Sequence, residues 1–183
     1  IIDQSIQLAE TERPGPIHLD YPIDPDRYGK SSTGMVFADV ESCEQGGDLD
    51  RVAVALNHAE KPLMIVGPVA LREQSSAQIV ELAEHLNMAV MVTSKARGII
   101  SEDHPLYAGV MSGVYSVGTL EERVVSRSDT VLAVGLDRME LLSPWRYRQP
   151  ILTLDVIEVN PNELVSEPVA SAVGPLPDMI HSL

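Results

Sequence analysis

Leu63-Met64-Ile65-Val66-Gly67 and Thr130-Val131-Leu132-Ala133-Val134-Gly135 are two short apolar runs, each stopping at a glycine. A strand with one wet face alternates apolar and polar side chains, whereas an unbroken apolar run is buried on both faces, as in a parallel sheet covered by helices. The intervening and flanking residues fit that reading. A helix is predicted from Asp48, with Leu49, Val52, Ala53 and Leu56 on one face, and Lys61-Pro62 ends it. Ile79, Leu82, Ala83 and Leu86 mark the stripe of the next helix, and Ala89-Val90-Met91-Val92 is a further strand. Residues 93 to 108 read as a loop, and Val117, Leu120 and Val124 as the inner face of a helix. Ile151 to Asp155 and Val169 to Val173 complete the strands, and Pro175 opens a last helix. This alternation predicts an α/β fold: a Rossmann-like parallel sheet of about five or six strands with helices on both faces.

Upstream of Asp48 the pattern is different. Residues 1 to 12 read as a helix with Ile2, Ile6 and Ala9 on one face, which Arg13-Pro14-Gly15-Pro16 must end. Ile17 to Tyr21 alternates like a strand, and residues 24 to 47 are polar and aperiodic, a linker. A chain that opens inside a helix, without a methionine, is expected to be part of something longer.

The 183 residues are 44% hydrophobic but only 4% aromatic, so Val, Ile, Leu and Ala must build the interior. A net charge of −14 repels phosphates and anionic lipid, so no nucleic acid and no membrane surface is expected as partner. Cys43 is the only cysteine, which excludes an intramolecular disulfide and a thiolate metal cluster and suits a cytoplasmic setting.

Arg13-Pro14-Gly15-Pro16-Ile17-His18-Leu19-Asp20-Tyr21-Pro22 resembles the RPGPV-x-L-D-x-P signature that closes the pyrimidine-binding domain of thiamine-diphosphate enzymes such as acetolactate synthase. The segments at 61 to 70, 93 to 109, 128 to 135 and 151 to 156 resemble, in order and spacing, that family's central domain. The resemblance implies that residues 1–23 are the tail of the preceding pyrimidine-binding domain, 24–47 a linker, and 48–183 the central domain. It also implies a non-catalytic domain that braces the catalytic domains of a 2-oxo acid decarboxylase or carboligase, a lyase or transferase. Thiamine diphosphate and magnesium would then belong to the parent protein only, held by the missing pyrimidine- and diphosphate-binding domains of a homo-oligomer. The family's Gly-Asp-Gly motif does not occur in this sequence.

Some relatives hold FAD or ADP in this domain. Ligands of parallel sheets lie at the carboxyl ends of the strands, so the candidate nucleotide contacts are Gly67, Thr93, Ser94, Lys95, Gly135 and Asp155. Gly67 offers a backbone N–H, but Pro68 removes the next donor where flavin-binding relatives have glycines. Thr93, Ser94 and Lys95 either face a phosphate or form a solvated loop. Gly109 and Gly113 read as turns. Asp137 stands where flavin-binding relatives carry arginine, and a carboxylate there repels a pyrophosphate. Asp155 either accepts from a ribose or adenine group or caps the turn after its strand.

The histidines show no metal spacing, and His104 reads as a structural hydrogen-bonding residue. Trp145 reads as packing against a neighbouring domain. Two other functions stand beside the first: a self-standing Rossmann-like nucleotide-binding domain, and a structural oligomerisation module. Neither a sirtuin Gly-Ala-Gly-x-Ser loop nor a G-x-S-x-G elbow is present.

Overall fold

The computed structural model describes residues 2–10, 15–19, 46–114, 116–137, 140, 147–156 and 168–183. The chain divides into two compact units, residues 1–42 and 43–183.

In the first unit, α1 spans Ile2–Glu10, as the apolar spacing predicts, and Gly15 N–H donates to Ala9 O at 3.2 Å just beyond its end. Residues 15–19 form neither helix nor strand, which corrects the strand expected from Ile17. Alternation describes what a strand's faces need, but a strand exists only where a second one completes its ladder. Asp20, Tyr21 and Pro22 lie outside the described residues.

The second unit is built on one sheet, in which a two-residue strand β1 (Gly46–Gly47) precedes β2 (Pro62–Val66), β3 (Ala89–Thr93) and β4 (Tyr107–Met111). β5 (Thr130–Val134), β6 (Ile151–Asp155) and β7 (Ala170–Val173) follow. Their spatial order is β1-β7-β6-β5-β2-β3-β4, and every pairing is parallel except that of β1 with β7. Six parallel strands match the expected sheet, and the antiparallel edge comes from the last residues of the segment read as linker.

The strand period of two sends alternate side chains to opposite faces, and two cores result. Met64, Val66, Leu132, Val134, Leu152 and Leu154 pack with α2 (Leu49–His58), α4 (Ser76–His85) and the last helix, α6 (Leu176–His181). Leu63, Ile65, Val131, Ala133 and Ile151 face the other way, toward Val125 of α5 (Leu120–Val125). Both faces of β2 and β5 are therefore buried, as their unbroken apolar runs require. Asp48 caps α2, its Oδ1 accepting from Arg51 N–H at 3.0 Å.

Two further expectations are corrected. Residues 93–108 are not one loop: Ser94–Ala96 is a 3-10 turn and β4 begins at Tyr107. β4 is an edge strand, only half-buried at its first four positions, so it lacks the apolar run that marks a central strand. Gly109 consequently lies in this strand, beside a shift in the register with β3, and not at a turn. The second correction concerns α5, which starts at Leu120 behind the N-cap Thr119, whose hydroxyl accepts from Glu122 N–H at 3.2 Å. Val117 precedes the helix and is 90% exposed, whereas Glu121 and Val125 are buried. Val124 does pack against the core from a partly buried position.

Candidate functional site

A parallel sheet whose chain turns back offers a crevice where neighbouring strands send their connections to opposite sides. Here that point lies between β2 and β5, since the chain builds outward from β2 through β3 to β4 and then returns to β5, β6 and β7. Gly67 and Gly135, two of the candidate contacts read from the sequence, follow these two strands.

The two loops touch each other through their backbones. Gly67 N–H donates to Val134 O at 2.8 Å, and Val69 N–H donates to Gly135 O at 3.2 Å. Pro68, between them, has no N–H and starts the short helix α3 (Pro68–Arg72). A Cβ on Gly67 would stand 2.2 Å from Gly135 O, so only glycine permits this approach. Gly135 has φ +56°, and a Cβ there would meet Ala70 N at 2.7 Å. The N–H groups of Gly67 and Val69 are thus spent on β5 and its loop.

Thr93, Ser94 and Lys95 follow β3 on the other side of β2. The Thr93 side chain is fully buried and its hydroxyl donates to Glu140 Oε2, while Lys95 N–H donates to Glu140 Oε1 at 2.9 Å. Ser94 and Lys95 are exposed. Glu140 belongs to the chain beyond β5 and is held in a turn by its own N–H donating to Asp137 O at 3.0 Å. Because β2 separates β5 from β3, this carboxylate ties two loops together across the end of β2.

Asp155 ends β6, is buried, and its Oδ1 accepts from the N–H of Val156 at 2.8 Å. Its carbonyl accepts from Gly174 N–H at 2.9 Å. Glu121, buried on α5, accepts from Ser112 N–H at 2.7 Å and from the Ser112 hydroxyl at 3.2 Å in the loop after β4. Among the described residues, Glu121, Glu140 and Asp155 at the carboxyl end of the sheet thus each accept from a backbone N–H of a strand-end loop. Glu140 and Glu121 were not singled out from the sequence. Glu121 stands in a Thr119-x-x-Glu122 capping box, a signal that locates the helix start and hence the first-turn acids. Glu140 has no such signal, because its role depends on which strands are neighbours.

His104 behaves as a structural residue: Leu106 N–H donates to Nδ1 at 3.2 Å, and Nε2 lies 3.2 Å from Glu84 Oε1. With Nδ1 accepting, Nε2 carries the hydrogen toward the carboxylate. Among the described residues no group of three or more His, Cys, Asp or Glu side chains is placed to hold a metal ion. No helix there is long and apolar enough to cross a membrane. A cavity of about 350 Å³ lies at the β1–β7 edge, lined in part by Gly46, Gly174, Asp178 and Ser182, and includes none of the six candidate residues. Trp145 lies outside the described residues.

Comparison with known proteins bears on this arrangement. The family described as thiamine pyrophosphate enzyme, central domain, matches residues 49–179. An acetolactate synthase of Arthrospira platensis is 28% identical over 147 residues, covering 74% of this chain and 25% of that protein. A glyoxylate carboligase of Escherichia coli is 26% identical over 144 residues, covering 74% and 23%. The crystal structure of benzoylformate decarboxylase from Polynucleobacter necessarius superposes with a TM-score of 0.55 at 27% identity, covering 74% of this chain and 26% of that one. The chain spans about a quarter of the length of the curated relatives it matches.

Proposed function

Since this chain belongs to the thiamine pyrophosphate enzyme central domain family, we propose that it is the non-catalytic bracing domain of a thiamine-diphosphate-dependent decarboxylase or carboligase acting on a 2-oxo acid. The observation that carries this reading is the family match across residues 49–179, over a sheet whose strand-end loops are tied to one another by their own backbone and carboxylates. Such a domain supplies rigidity. Its crevice residues hold loops in place, and thiamine diphosphate, with its magnesium, supplies carbanion stabilisation from sites in the other domains of the parent. Residues 1–23 are, on this reading, the tail of the pyrimidine-binding domain, and the parent is a cytoplasmic homo-oligomer.

For an adenine nucleotide, Gly67, Thr93, Ser94, Lys95, Gly135 and Asp155 are the contacts that the fold would present. They do not fit a phosphate well, because Gly67 N–H, Thr93 Oγ1 and Lys95 N–H all have internal acceptors. The bracing role is tested by expressing the full-length reading frame and this chain side by side. Carbon dioxide release from pyruvate, glyoxylate and benzoylformate should depend on thiamine diphosphate in the former. The chain alone should give neither turnover nor calorimetric heat with thiamine diphosphate and magnesium. Turnover by the chain alone, or none by the whole protein with any 2-oxo acid, overturns the reading.

A further inference from the structure

We propose that the Glu140 carboxylate is a resident anion that occupies the phosphate position of the crevice and excludes nucleotide phosphates from it. The proposal deepens the bracing reading and rests on it only for the identity of the crevice. A phosphate in such a crevice needs converging donors, drawn from backbone N–H groups and hydroxyls. In the loop after β3 the Thr93 hydroxyl and the Lys95 N–H both donate to one carboxylate, which leaves that loop only the exposed Ser94 and the Lys95 ammonium to offer a phosphate. The loop after β2 offers none in compensation: Gly67 and Val69 N–H groups donate to Val134 O and Gly135 O, and Pro68 has no donor. Thr93 is fully buried, and its hydroxyl is already committed to Glu140.

Charge acts in the same direction. A phosphate entering beside Glu140 would meet a like charge at hydrogen-bonding distance in a site partly shielded from water, where such repulsion is large. Buried Glu121 and Asp155 add negative charge on the loops after β4 and β6. Of these three carboxylates, Glu140 alone bonds to residues that the nucleotide reading requires, Thr93 and Lys95, which makes it the specificity-determining side chain.

Calorimetric titration of the purified chain with ADP, FAD and inorganic pyrophosphate tests this directly. The wild-type protein should give no saturable heat. Glu140→Ala frees both donors and removes the charge, and should give saturable heat with ADP and pyrophosphate at a Kd at least tenfold below the highest concentration at which the wild type gives none. Glu140→Gln keeps the side-chain volume and an acceptor while removing the charge, and should fall between the two. It also serves if the alanine variant does not give the circular dichroism of the folded chain. Glu81→Gln, on the exposed side of α4, removes the same formal charge elsewhere and should leave binding unchanged. Micromolar ADP or FAD binding by wild type overturns the proposal. So does failure of both Glu140 variants to gain affinity, or an equal gain from Glu81→Gln. None of these readouts involves thiamine diphosphate, so failure here leaves the bracing role to its own test.

Discussion

A buried carboxylate is tolerated only where donors surround it, and Glu121 keeps just one oxygen satisfied. Its Oε2 takes the N–H and hydroxyl of Ser112, while Oε1 is buried with no hydrogen-bond partner among the described residues. Glu121→Ala would leave Ser112 N–H without its acceptor, and we expect a loss of about 1–3 kcal/mol, read as a lower urea midpoint at unchanged slope. The exposed pair of Arg97 with Glu102, at 2.8 Å, makes the contrast. The hydrogen bond to Glu102 and then its charge raise the Arg97 pKa. A raised pKa gives stability that is present below the ordinary guanidinium range and lost only above it, so titration of Arg97 does not enter near neutrality. Both partners are more than half exposed, so Glu102→Gln should leave the melting temperature unchanged within error at moderate salt. Gly67→Ala should be costly for a reason unrelated to φ, which is −103°. The added Cβ would lie 2.2 Å from Gly135 O and 2.6 Å from Leu136 Cα, both backbone atoms. The central loops would have to part, at a cost of at least about 2 kcal/mol in the same urea titration. At this scale the sequence revealed which residues stand at strand ends, and Asp137 was the acid it singled out in the loop after β5. Glu140, only three residues on, is the one that reaches Thr93 and Lys95. Nothing in the local spacing distinguishes them, since reach across β2 is a property of strand order.

At the scale of elements, the central strands were legible because burial on both faces writes an unbroken apolar run, as in Leu63–Val66 and Val131–Val134. β4 was not, because an edge strand half-buried at its first four positions carries Tyr107 and Gly109 where a central strand would carry Val or Ile. Helix α5 shows how a 3.6-residue period is misread when its phase is taken from exposed apolar residues. Val117 and Leu120 are 90% and 49% exposed, whereas Val125 is fully buried against Leu63, Ile65 and Val131. The two readings of that helix predict opposite mutational patterns. Val117→Ser should change stability by less than about 0.5 kcal/mol. Val125→Ala opens a void under the sheet and should cost about 2 kcal/mol. Chemical denaturation of both variants decides between them, and a larger loss from Val117→Ser would mean that α5 packs through its other face.

For the whole molecule, the alternation of strands and helices made the fold class legible, but it left strand order open. The reversal between β2 and β5, which brings Gly67 onto Gly135 and lets Glu140 bridge to Thr93, is a consequence of that order. The chain separates into two compact units, residues 1–42 and 43–183. That division supports a last prediction. Among the described residues, both hydrophobic cores, all seven strands and the carboxylate ties at the loops lie within the second unit. A domain with its own core folds alone, and one of this size normally unfolds in a single cooperative step. A chain beginning at residue 43 should therefore keep the far-ultraviolet circular dichroism of a folded α/β domain. Its urea midpoint should match that of the full chain within error, with one transition reported alike by circular dichroism and by tryptophan fluorescence. A midpoint lowered by more than the extrapolation error would mean that residues 1–42 contribute to the core, and a transition whose two probes disagree would mean that the second unit is not one cooperative body.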